Sequence, residues 1–372
     1  MKYIVQDKMF TQKLLTWFDQ NARILPWRED AASYRVWISE IMLQQTRVEA
    51  VKPYFERFIN TFPDMQTLAQ AEEELLLKQW EGLGYYNRAR NLWKTAQIVM
   101  DEYGGKLPSD YESLLKLPGI GAYTAGAVAS IAYQIPVPAI DGNVMRVMTR
   151  FVEEKGNILD IKTQKLIEEL VMQFMPNERP GDFNQALMEL GATVCVPNGA
   201  PRCDVCPLHE TCKVFIQGSW DKIPVKEKKK PRKIEKKTLL IIQNENSIVL
   251  RKRPQTGLLA GMYEFPMLEG EAMEVEAVTF TKEIGFRPVQ IEKLEKSKHI
   301  FTHLEWHMTA YFVRIEDPDF LGNKRIKEPY LLLDKNETER KYPIPSAFKA
   351  YTKYLKMKLG NEAFPVLEQE KT

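Results

Sequence analysis

The sequence predicts a chain of more than one domain, in which an all-α region is followed by a smaller α+β domain. A chain of 372 residues exceeds the size of one ordinary hydrophobic core. Up to about residue 216, apolar residues recur at the three- and four-residue spacing of helices. After residue 237 the period changes, and short apolar runs separated by polar turns indicate strands. We therefore predict a helical region over 1–216, a linker over 217–237, a second domain over 238–360 and a tail over 361–372.

Four stretches of the first region carry the helical spacing, and loops such as INTFPDM and YGGKLPSD separate them. These stretches are TQKLLTWFDQNA, VWISEIMLQQTRVEAVKPYFERF, EEELLLKQW and NLWKTAQIVMDEY. In the second domain, TLLIIQNENSIVLRKRP is predicted to form a strand, a polar turn and a strand, and HMTAYFVRI a further strand. PSAFKAYTKYLKMKL is predicted to form a helix near the end of the chain.

A run of positive charge joins the two domains. Between Lys222 and Lys237 there are nine Lys and Arg residues against two acidic ones, and Pro224 and Pro231 interrupt the run. This composition predicts a linker, which is either a solvated tether or a segment that contacts nucleic-acid phosphate. The net charge of +2 gives no global basic signal, so nucleic-acid binding requires a local patch.

The sequence predicts a cytoplasmic protein. No apolar run reaches the roughly 20 residues of a membrane span. The N-terminal residues mix charged with apolar positions, which is not the pattern of a signal peptide. Because the chain is compact and shows no targeting extension, we expect a bacterial source.

All four cysteines lie in one short segment, with the spacing Cys195-x7-Cys203-x2-Cys206-x5-Cys212. In a reducing compartment, a metal site explains such a group better than disulfides do. Four thiolates within eighteen residues can bind one iron–sulfur cluster or one tetrahedral metal. Zinc sites more often pair two C-x-x-C motifs, and this segment has one. An iron–sulfur cluster is favoured, with zinc and free thiols as alternatives.

The stretch LPGIGAYTAGAV, from Leu117 to Val128, predicts a tight turn between two helices. Pro118 ends the preceding helix, and Gly119 and Gly121 permit the positive φ angles and close approach that the turn requires. The next helix then begins with unpaired N–H groups, which can bind phosphate through hydrogen bonds and the helix dipole. An ordinary helix–helix turn is the alternative.

This turn resembles the DNA-binding helix-hairpin-helix of the endonuclease III superfamily of base-excision glycosylases. VPAIDGNVMRVMTRF is similar to the catalytic aspartate segment of that superfamily, and LPWR and SEIMLQQTRVEAV resemble its MutY-type adenine DNA glycosylases. These motifs cover most of residues 20–216. The resemblance divides the region into a six-helix part that bears the hairpin, about 26–133, and an iron–sulfur part formed by the N-terminus and about 134–216.

The resemblance implies a monofunctional adenine DNA glycosylase of base excision repair. Such an enzyme acts as a monomer on double-stranded DNA, where it flips out and removes adenine mispaired with 8-oxoguanine. Its tolerance for undamaged guanine opposite adenine stays open. The resemblance further implies a [4Fe–4S] cluster of structural role on the four cysteines, whose first gap is one residue longer than is usual in the family.

Two carboxyl groups are expected to cleave the N-glycosidic bond, one as the acid for the leaving base and one as an ionised group beside the sugar cation. Glu40 matches the acid, and apolar helical neighbours favour its protonated form: Val36, Trp37 and Leu43. Asp141 matches the second carboxylate. It also occupies a helix N-cap position, and a capping carboxylate stays ionised. A solvent-facing glutamate and a purely capping aspartate are the alternatives.

Tyr123 and Asn143 are expected to support the same centre. Lyase members of the superfamily carry a lysine at the position of Tyr123, and that lysine attacks the sugar to form a Schiff base. Because tyrosine cannot form the imine, base removal is predicted to stop at the abasic site. Asn143 is expected to hydrogen-bond either Asp141 or the DNA backbone.

Further residues take their expected roles from the resemblance. Arg28 and Gln185 align with residues that line the adenine pocket, and Trp27 would pack there. Gln45 and Tyr85 resemble the residues that enter the base stack around the lesion. For Trp27 and Tyr85, a plain core position is the alternative.

The stretch GLLAGMYEFPMLEGE makes the second domain similar to the nudix-like domain of MutY-type proteins. In an alignment on Gly285, the arginine position of a nudix hydrolase holds Val278. The three metal-binding glutamate positions hold Thr279, Lys282 and Glu283. Because two of the three ligands are missing, we predict lesion recognition rather than pyrophosphate hydrolysis.

The residues expected to recognise 8-oxoguanine are Phe301, Thr302 and His303, which stand where the family commonly has Phe-Ser-His. Threonine keeps the hydroxyl that can contact the N7–H or O8 edge of the lesion. Three of the four histidines lie between His299 and Met308, and histidines on a strand surface are the alternative explanation.

Two other functions stay open. An endonuclease III-like bifunctional glycosylase/lyase for oxidised pyrimidines would need an amine nucleophile in the hairpin helix. A non-catalytic DNA-binding module would leave Glu40 and Asp141 without a chemical role.

Overall fold

The computed structural model describes residues 9–227, 231–316 and 326–364. It confirms the predicted fold class, because helices fill the first region and a smaller domain of strands and helices follows. Within the described residues, no helix is both long enough and apolar enough to cross a bilayer.

The chain forms two compact units that alternate along the sequence. The helical unit contains Met1–Gln70 and Asn91–Lys229, and the sheet unit contains Ala71–Arg90 and Lys230–Thr372. We call Ala71–Arg90 the arm, because it interrupts the helical unit in sequence and groups with the sheet unit. The sequence patterns do not anticipate this grouping.

Helices with apolar positions every three or four residues form most of the chain up to Gln217. Two short 3-10 turns, Cys203–Val205 and His209–Thr211, lie in the cysteine segment. The helices are α1 (Phe10–Asn21), α2 (Ser33–Leu43), α3 (Val48–Thr61), α4 (Met65–Ala69), α5 (Glu73–Gln79), α6 (Asn87–Glu102), α7 (Tyr111–Leu115), α8 (Ala122–Tyr133), α9 (Gly142–Val152), α10 (Ile161–Phe174), α11 (Pro180–Thr193) and α12 (Lys213–Gln217).

One hydrophobic core of the helical unit lies between α1, α9, α10 and α11. The ring of Phe10 stacks on Phe174 at 4.1 Å between centroids and meets the edge of Phe151 at 4.9 Å. Three of the four cysteines pack against this core. Helix α8 contacts both α2 and α11, so residues from three helices can meet at one site.

The stretch VWISEIMLQQTRVEAVKPYFERF, predicted to be helical throughout, is divided into two helices. Helix α2 ends at Leu43 and α3 begins at Val48. Between them Gln45 has a φ of +58°. A non-glycine residue in this left-handed region ends a right-handed helix, because its Cβ crowds the following carbonyl. Helix α3 continues to Thr61, so the predicted loop INTFPDM is shorter than its sequence suggests.

The predicted linker is ordered at both of its ends. Ile223 is buried in the helical unit, and the carbonyl of Val225 accepts a hydrogen bond from the N–H of Ile158 at 3.0 Å. At the other end, Lys233–Gln243 is a strand. Apolar residues among the lysines explain the packing of the first end. Residues 228–230 lie outside the described part of the chain.

The sheet unit contains a mixed seven-stranded sheet, and its elements follow α12 in the chain. They are β1 (Lys233–Gln243), β2 (Ser247–Lys252), β3 (Tyr263–Glu264), β4 (Met267–Glu269), α13 (Glu274–Glu283), β5 (Pro288–Ile300), β6 (Leu304–Ile315), β7 (Tyr330–Asp334), α14 (Lys335–Lys341) and α15 (Lys349–Leu355). The strand order is β3-β2-β1-β6-β5, with β4 paired to β1 and β7 to β2. Only the β1–β6 pair is parallel among these pairs.

Side chains on the two faces of the sheet pack into two separate hydrophobic cores. Because side chains alternate along a strand, Leu239 and Ile241 of β1 pack with Tyr351 of α15 on one face. Leu240 and Ile242 pack against α13 on the other face. The predicted strand-turn-strand is confirmed as β1 and β2, the further strand as β6 and the terminal helix as α15, which begins later than predicted.

Candidate active site

Glu40 lies on α2 with its side chain buried. The residue is 6% exposed, and Val36 and Trp37 on the preceding turn are buried as well. Burial raises the pKa of Glu40 to about 7, because a carboxylate loses its hydration there. A hydrogen bond from Tyr123 opposes this rise, and the charge of Asp141 adds to it. Near neutral pH Glu40 can therefore hold a proton and release it.

Tyr123 stands in the first turn of α8 and donates its hydroxyl to Oε2 of Glu40. The same hydroxyl lies 3.7 Å from the sulfur of Met188. Burial, followed by the charge of Glu40, raises the pKa of Tyr123 well above its usual value. Tyr123 is therefore a phenol at neutral pH, and it acts on Glu40 as a hydrogen-bond donor.

Asp141 is the N-cap of α9. Its Oδ1 accepts hydrogen bonds from the backbone N–H groups of Asn143 and Val144, both at 2.8 Å, and its Oδ2 accepts one from the side-chain amide of Asn143 at 2.6 Å. The structure thus confirms the predicted cap and pairs Asn143 with Asp141. Burial raises the pKa of Asp141, and these hydrogen bonds offset only part of that effect.

A chain of hydrogen bonds leads from Asp141 to the cysteine segment. The guanidinium of Arg146 donates to Oδ1 of Asn143 at 2.9 Å, to the carbonyl of Gly191 at 2.8 Å and to the carbonyl of Cys195 at 2.8 Å. A Cβ at Gly191 would lie 2.5 Å from that of Asn143, so glycine permits this approach of α11 to α9. No sequence motif predicted a role for Arg146, although it follows Asn143 by one helical turn.

One cleft of about 1000 Å³ in the helical unit contains the expected catalytic residues. Glu40, Tyr123, Asp141 and Asn143 all line it. Trp27 lines it too, while its buried ring packs edge-on against Phe55 at 5.5 Å. The core position and the pocket position of Trp27 are therefore compatible.

A polar wall of the cleft joins Arg28 to α11. The guanidinium of Arg28 donates to Oε1 of Gln185 at 3.0 Å and to Oε2 of Glu189 at 2.9 Å. Arg23 also binds Glu189, whose side chain is 1% exposed. Burial would raise the pKa of Glu189, but the two guanidinium groups outweigh it and lower that pKa. No sequence motif predicted a role for Arg23 or Glu189, although Glu189 lies one helical turn after Gln185.

The helical hairpin joins α7 to α8, as predicted, but its two glycines differ. Gly119 has a φ of +75°, and a Cβ there would lie 2.7 Å from the Cβ of Asn91. Gly121 is the N-cap of α8 with a φ of −93° and open space around its Cβ position. The predicted need for positive φ and close packing is therefore confirmed for Gly119 and wrong for Gly121. Gly121 and Ala122 are exposed, which leaves the start of α8 accessible.

The two residues expected to enter the base stack share an unusual backbone. Gln45, in the loop after α2, has a φ of +58°, and Tyr85, in the arm, has a φ of +50°. Non-glycine residues rarely adopt this conformation, and it often occurs at functional sites. Gln45 is exposed and Tyr85 is 48% exposed, so the alternative of a core position for Tyr85 is wrong.

The residues expected to recognise the lesion form the turn between β5 and β6, which we call the lesion loop (Phe301–His303). The ring of Phe301 packs edge-on against Trp306 at 4.9 Å. Thr302 and His303 are exposed. The hydroxyl of Thr302 lies 3.4 Å from the hydroxyl of Tyr85, which is a long hydrogen bond. The turn itself holds only His303, while the other two histidines of this stretch lie on the strands.

The positions aligned with the nudix motif lie on α13. Thr279, Lys282 and Glu283 are exposed there, and the hydroxyl of Thr279 donates to the carbonyl of Val275 at 2.8 Å. In the described residues, no three His, Cys, Asp or Glu side chains are placed to hold a single metal ion.

The four cysteines carry free thiols and line one small cavity of about 30 Å³. The guanidinium of Arg150 lies 3.3 Å from the sulfur of Cys195. Burial raises the pKa of Cys206 to about 12 and raises the pKa values of Cys203 and Cys212. Zinc would require four sulfurs about 2.3 Å from one point. A four-iron cluster would be held by the same four thiolates, so the cysteines around one cavity are compatible with either group.

Comparison with known proteins agrees with this geometry. The model of the HhH-GPD superfamily of base excision DNA repair proteins matches residues 38–173, and a NUDIX domain model matches residues 237–354. An adenine DNA glycosylase of Buchnera aphidicola subsp. Acyrthosiphon pisum is 36% identical over 310 residues, which cover 82% of this chain and 87% of that protein. The chain belongs to the adenine DNA glycosylase family.

A second relative supports this assignment, and a solved structure of another glycosylase is similar over part of the chain. The human adenine DNA glycosylase is 34% identical over 373 residues, which cover 84% of this chain and 68% of that protein. The structure of a thermostable thymine-DNA glycosylase matches with a TM-score of 0.52 and 29% identity, covering 56% of this chain and 96% of that one. Family membership confirms the predicted adenine DNA glycosylase of base excision repair. It also favours an enzyme over the non-catalytic DNA-binding module.

Proposed function

We propose that this glycosylase hydrolyses the N-glycosidic bond of adenine paired with 8-oxoguanine in double-stranded DNA and stops at the abasic site. One observation carries the proposal. A buried glutamic acid, Glu40, is paired with Tyr123 in a cleft that Asp141 also lines. An acid with a pKa near 7 beside a second carboxyl group is the arrangement that glycosidic cleavage requires.

The polar wall of the cleft suits adenine. The carboxylate of Glu189 can accept a hydrogen bond from the exocyclic amino group of the flipped base. Because Oε1 of Gln185 accepts from Arg28, the amide N–H groups of Gln185 are turned toward other partners and can donate to a ring nitrogen. Guanine carries N1–H and O6 on the same edge. Its N1–H donor would face the amide donor of Gln185, and its O6 acceptor would face the carboxylate of Glu189.

Bond cleavage then proceeds in two stages. Glu40 donates its proton to N7 of adenine, and the C1′–N9 bond breaks with its electron pair leaving on the base. The carboxylate of Asp141 stabilises the sugar cation that remains. Water adds to C1′ and returns a proton to Glu40, which restores the starting enzyme. Tyr123 offers no amine to the sugar, so the reaction ends at the abasic site.

The four cysteines are proposed to hold a [4Fe–4S] cluster. When bound, the cluster supplies iron–thiolate bonds that join the segment Cys195–Cys212 into one loop. Arg146 binds the backbone of Cys195 on one side and Asn143 on the other, so a fixed cysteine loop supports the orientation of Asp141. The role of the cluster in this proposal is structural.

DNA contacts are assigned to two surfaces, one in each unit. The exposed start of α8 at Gly121 binds phosphate through backbone N–H groups, and the lesion loop contacts 8-oxoguanine. Tyr85 and Gln45 enter the base stack. Monomeric action and a cytoplasmic, nucleoid-associated location stay predictions.

A nicking assay tests the proposal. Duplexes that contain adenine opposite 8-oxoguanine, or thymine glycol opposite adenine, are incubated with the full chain and split into samples with and without alkali. We expect strand breaks at adenine that require alkali. Breaks at thymine glycol without alkali would instead establish the endonuclease III-like lyase. Binding without any base release would refute the proposed chemistry.

A further inference from the structure

The arm carries Tyr85, and side chains near both of its ends bind residues of the C-terminal part of the chain. At its start, Glu74 accepts hydrogen bonds from the ammonium of Lys252 at 2.6 Å and from the hydroxyl of Tyr263 at 2.8 Å. At its end, the guanidinium of Arg90 donates to the carbonyl of Ala260. The arm is thus fixed to the sheet unit at both ends.

Between these ends lies a fully buried ion pair. The ammonium of Lys78 lies 3.0 Å from both carboxylate oxygens of Glu81, and the two side chains are 1% and 0% exposed. Lys78 also lies 3.2 Å from the carbonyl of Tyr342. Glu81 accepts hydrogen bonds from the backbone N–H groups of Ile344 and Gly360, both at 2.7 Å. The side chains of Lys78 and Glu81 therefore also form hydrogen bonds with the backbone of the C-terminal part of the chain.

Such a pair is poorly explained by stability alone. Apolar side chains of similar volume are often as stabilising as a buried ion pair, because both charges lose their hydration. Directed hydrogen bonds to three separate backbone groups instead allow one register of the arm against the sheet unit. A slip of one residue would leave buried N–H groups without acceptors, at a cost of about 1–3 kcal/mol each.

The register matters because Tyr85 follows Glu81 by four residues. Arg88 donates to the carbonyls of Leu83 at 3.3 Å and Gly84 at 3.1 Å, and its guanidinium lies 5.6 Å from the centre of the Tyr85 ring. The left-handed backbone of Tyr85 is therefore supported locally by the arm. Its hydroxyl reaches Thr302 of the lesion loop.

We propose that Lys78 and Glu81 are positioning residues for opposite-base specificity, which hold Tyr85 beside Thr302 so that the two side chains recognise 8-oxoguanine as one surface. This inference rests on the proposed function. It predicts that opposite-base discrimination depends on two side chains that lie buried beneath the arm and touch no DNA.

The test compares Glu81→Gln with Glu295→Gln in the full chain. Both changes remove one negative charge from the sheet unit, but Glu295 is exposed and pairs only at the surface with Lys353. Dissociation constants are measured for duplexes that hold an uncleavable 2′-fluoro adenosine opposite 8-oxoguanine or opposite guanine. Single-turnover excision rates are measured on the matching cleavable duplexes.

For Glu81→Gln we expect the preference for 8-oxoguanine over guanine to fall about tenfold in binding and in rate, which corresponds to the loss of one charged hydrogen bond. Excision opposite guanine should stay within about twofold of the wild type, and Glu295→Gln should match the wild type. A folded Glu81→Gln protein with unchanged preference would overturn the inference. A parallel loss on both duplexes would also overturn it, since that outcome indicates a merely structural role.

A second variant tests the route through Tyr85. If Glu81 acts by placing Tyr85, then Glu81→Gln should cost little further discrimination in a Tyr85→Ala background. Additive losses would refute that route. The binding measurement does not depend on cleavage, so a wild-type protein that discriminates in binding but excises no adenine would refute the proposed function and leave the inference standing.

Discussion

The two units hold their functional side chains in opposite ways. In the helical unit, Glu40 and Asp141 are already hydrogen-bonded by protein groups, and burial controls the pKa values of both. In the sheet unit, Thr302 and His303 are exposed on a three-residue turn. Within the protein the Thr302 hydroxyl makes only a long contact, to Tyr85 at 3.4 Å, among the described residues.

Under the proposed function, this difference separates chemistry from recognition. Catalytic groups must be oriented before the reaction, because reorganising them during the reaction costs free energy. A recognition group can stay exposed until the lesion supplies its partner. Changes in the cleft should therefore lower the rate whatever base lies opposite adenine. Changes in the lesion loop should alter only the difference between opposite bases.

The largest effect is expected for Glu40→Gln. The amide cannot donate the proton that the leaving base requires, so the single-turnover rate should fall by about 10²- to 10⁴-fold on either opposite base. A matched control is Glu169→Gln, which removes an exposed carboxylate from α10. A Glu40→Gln rate within tenfold of the wild type would remove Glu40 from the role of acid.

The next effect is expected for Arg146→Met. Methionine fills the space, but it leaves the carbonyls of Gly191 and Cys195 and the side chain of Asn143 without their donor. We expect the free energy of unfolding to fall by about 3 kcal/mol in urea denaturation. Arg202→Met is the control, because Arg202 is exposed and lies in the cysteine segment that Arg146 contacts. Equal stability of the two variants would show that the chain of hydrogen bonds contributes little.

A smaller effect, about tenfold per pH unit, is expected above the pKa of Glu40. Burial places that pKa at about 7, and the acid works only when protonated, so the excision rate should decline as the pH rises beyond this value. The hydrogen bond from Tyr123 lowers the pKa of Glu40, so Tyr123→Phe should move the decline to higher pH. Rates measured between pH 5 and 9 on one duplex check both statements. A decline that does not move in Tyr123→Phe would contradict this assignment.

The sequence predicted the elements of the helical unit and the residues that line its cleft better than it predicted the sheet unit, which includes the arm. Glu40, Asp141 and Asn143 lie in short motifs on helices, where local spacing determines which side chains share a face. The cap of α9 is a purely local interaction, so Asp-Gly-Asn was sufficient to predict it. Arg146 and Glu189 each lie one helical turn from a predicted site residue, but most of their partners lie on other helices or loops, and no local pattern reports those contacts.

The arm shows where local patterns end. EEELLLKQW is helical in sequence and in structure, but its grouping with the sheet depends on contacts more than 160 residues away, such as the bond from Arg90 to Ala260. Likewise, apolar residues on both sides of LQQTRV keep the helical spacing, so the sequence predicted one continuous helix. The left-handed backbone at Gln45, which ends α2, was therefore not predicted. From sequence alone, Lys78 and Glu81 would be predicted to form an ordinary solvated i,i+3 pair. Only the structure shows that both side chains are buried.

The smallest effect is expected for Thr302→Val, which keeps the shape of the side chain and removes its hydroxyl. Loss of one hydrogen bond of about 1 kcal/mol should lower excision opposite 8-oxoguanine by about fivefold and leave excision opposite guanine unchanged. Thr279→Val on α13 is the matched control, because it removes an exposed hydroxyl from the same unit. If Thr302→Val slowed excision equally opposite both bases, the lesion loop would act on the common step of DNA binding, and the separation of chemistry from recognition between the two units would fail.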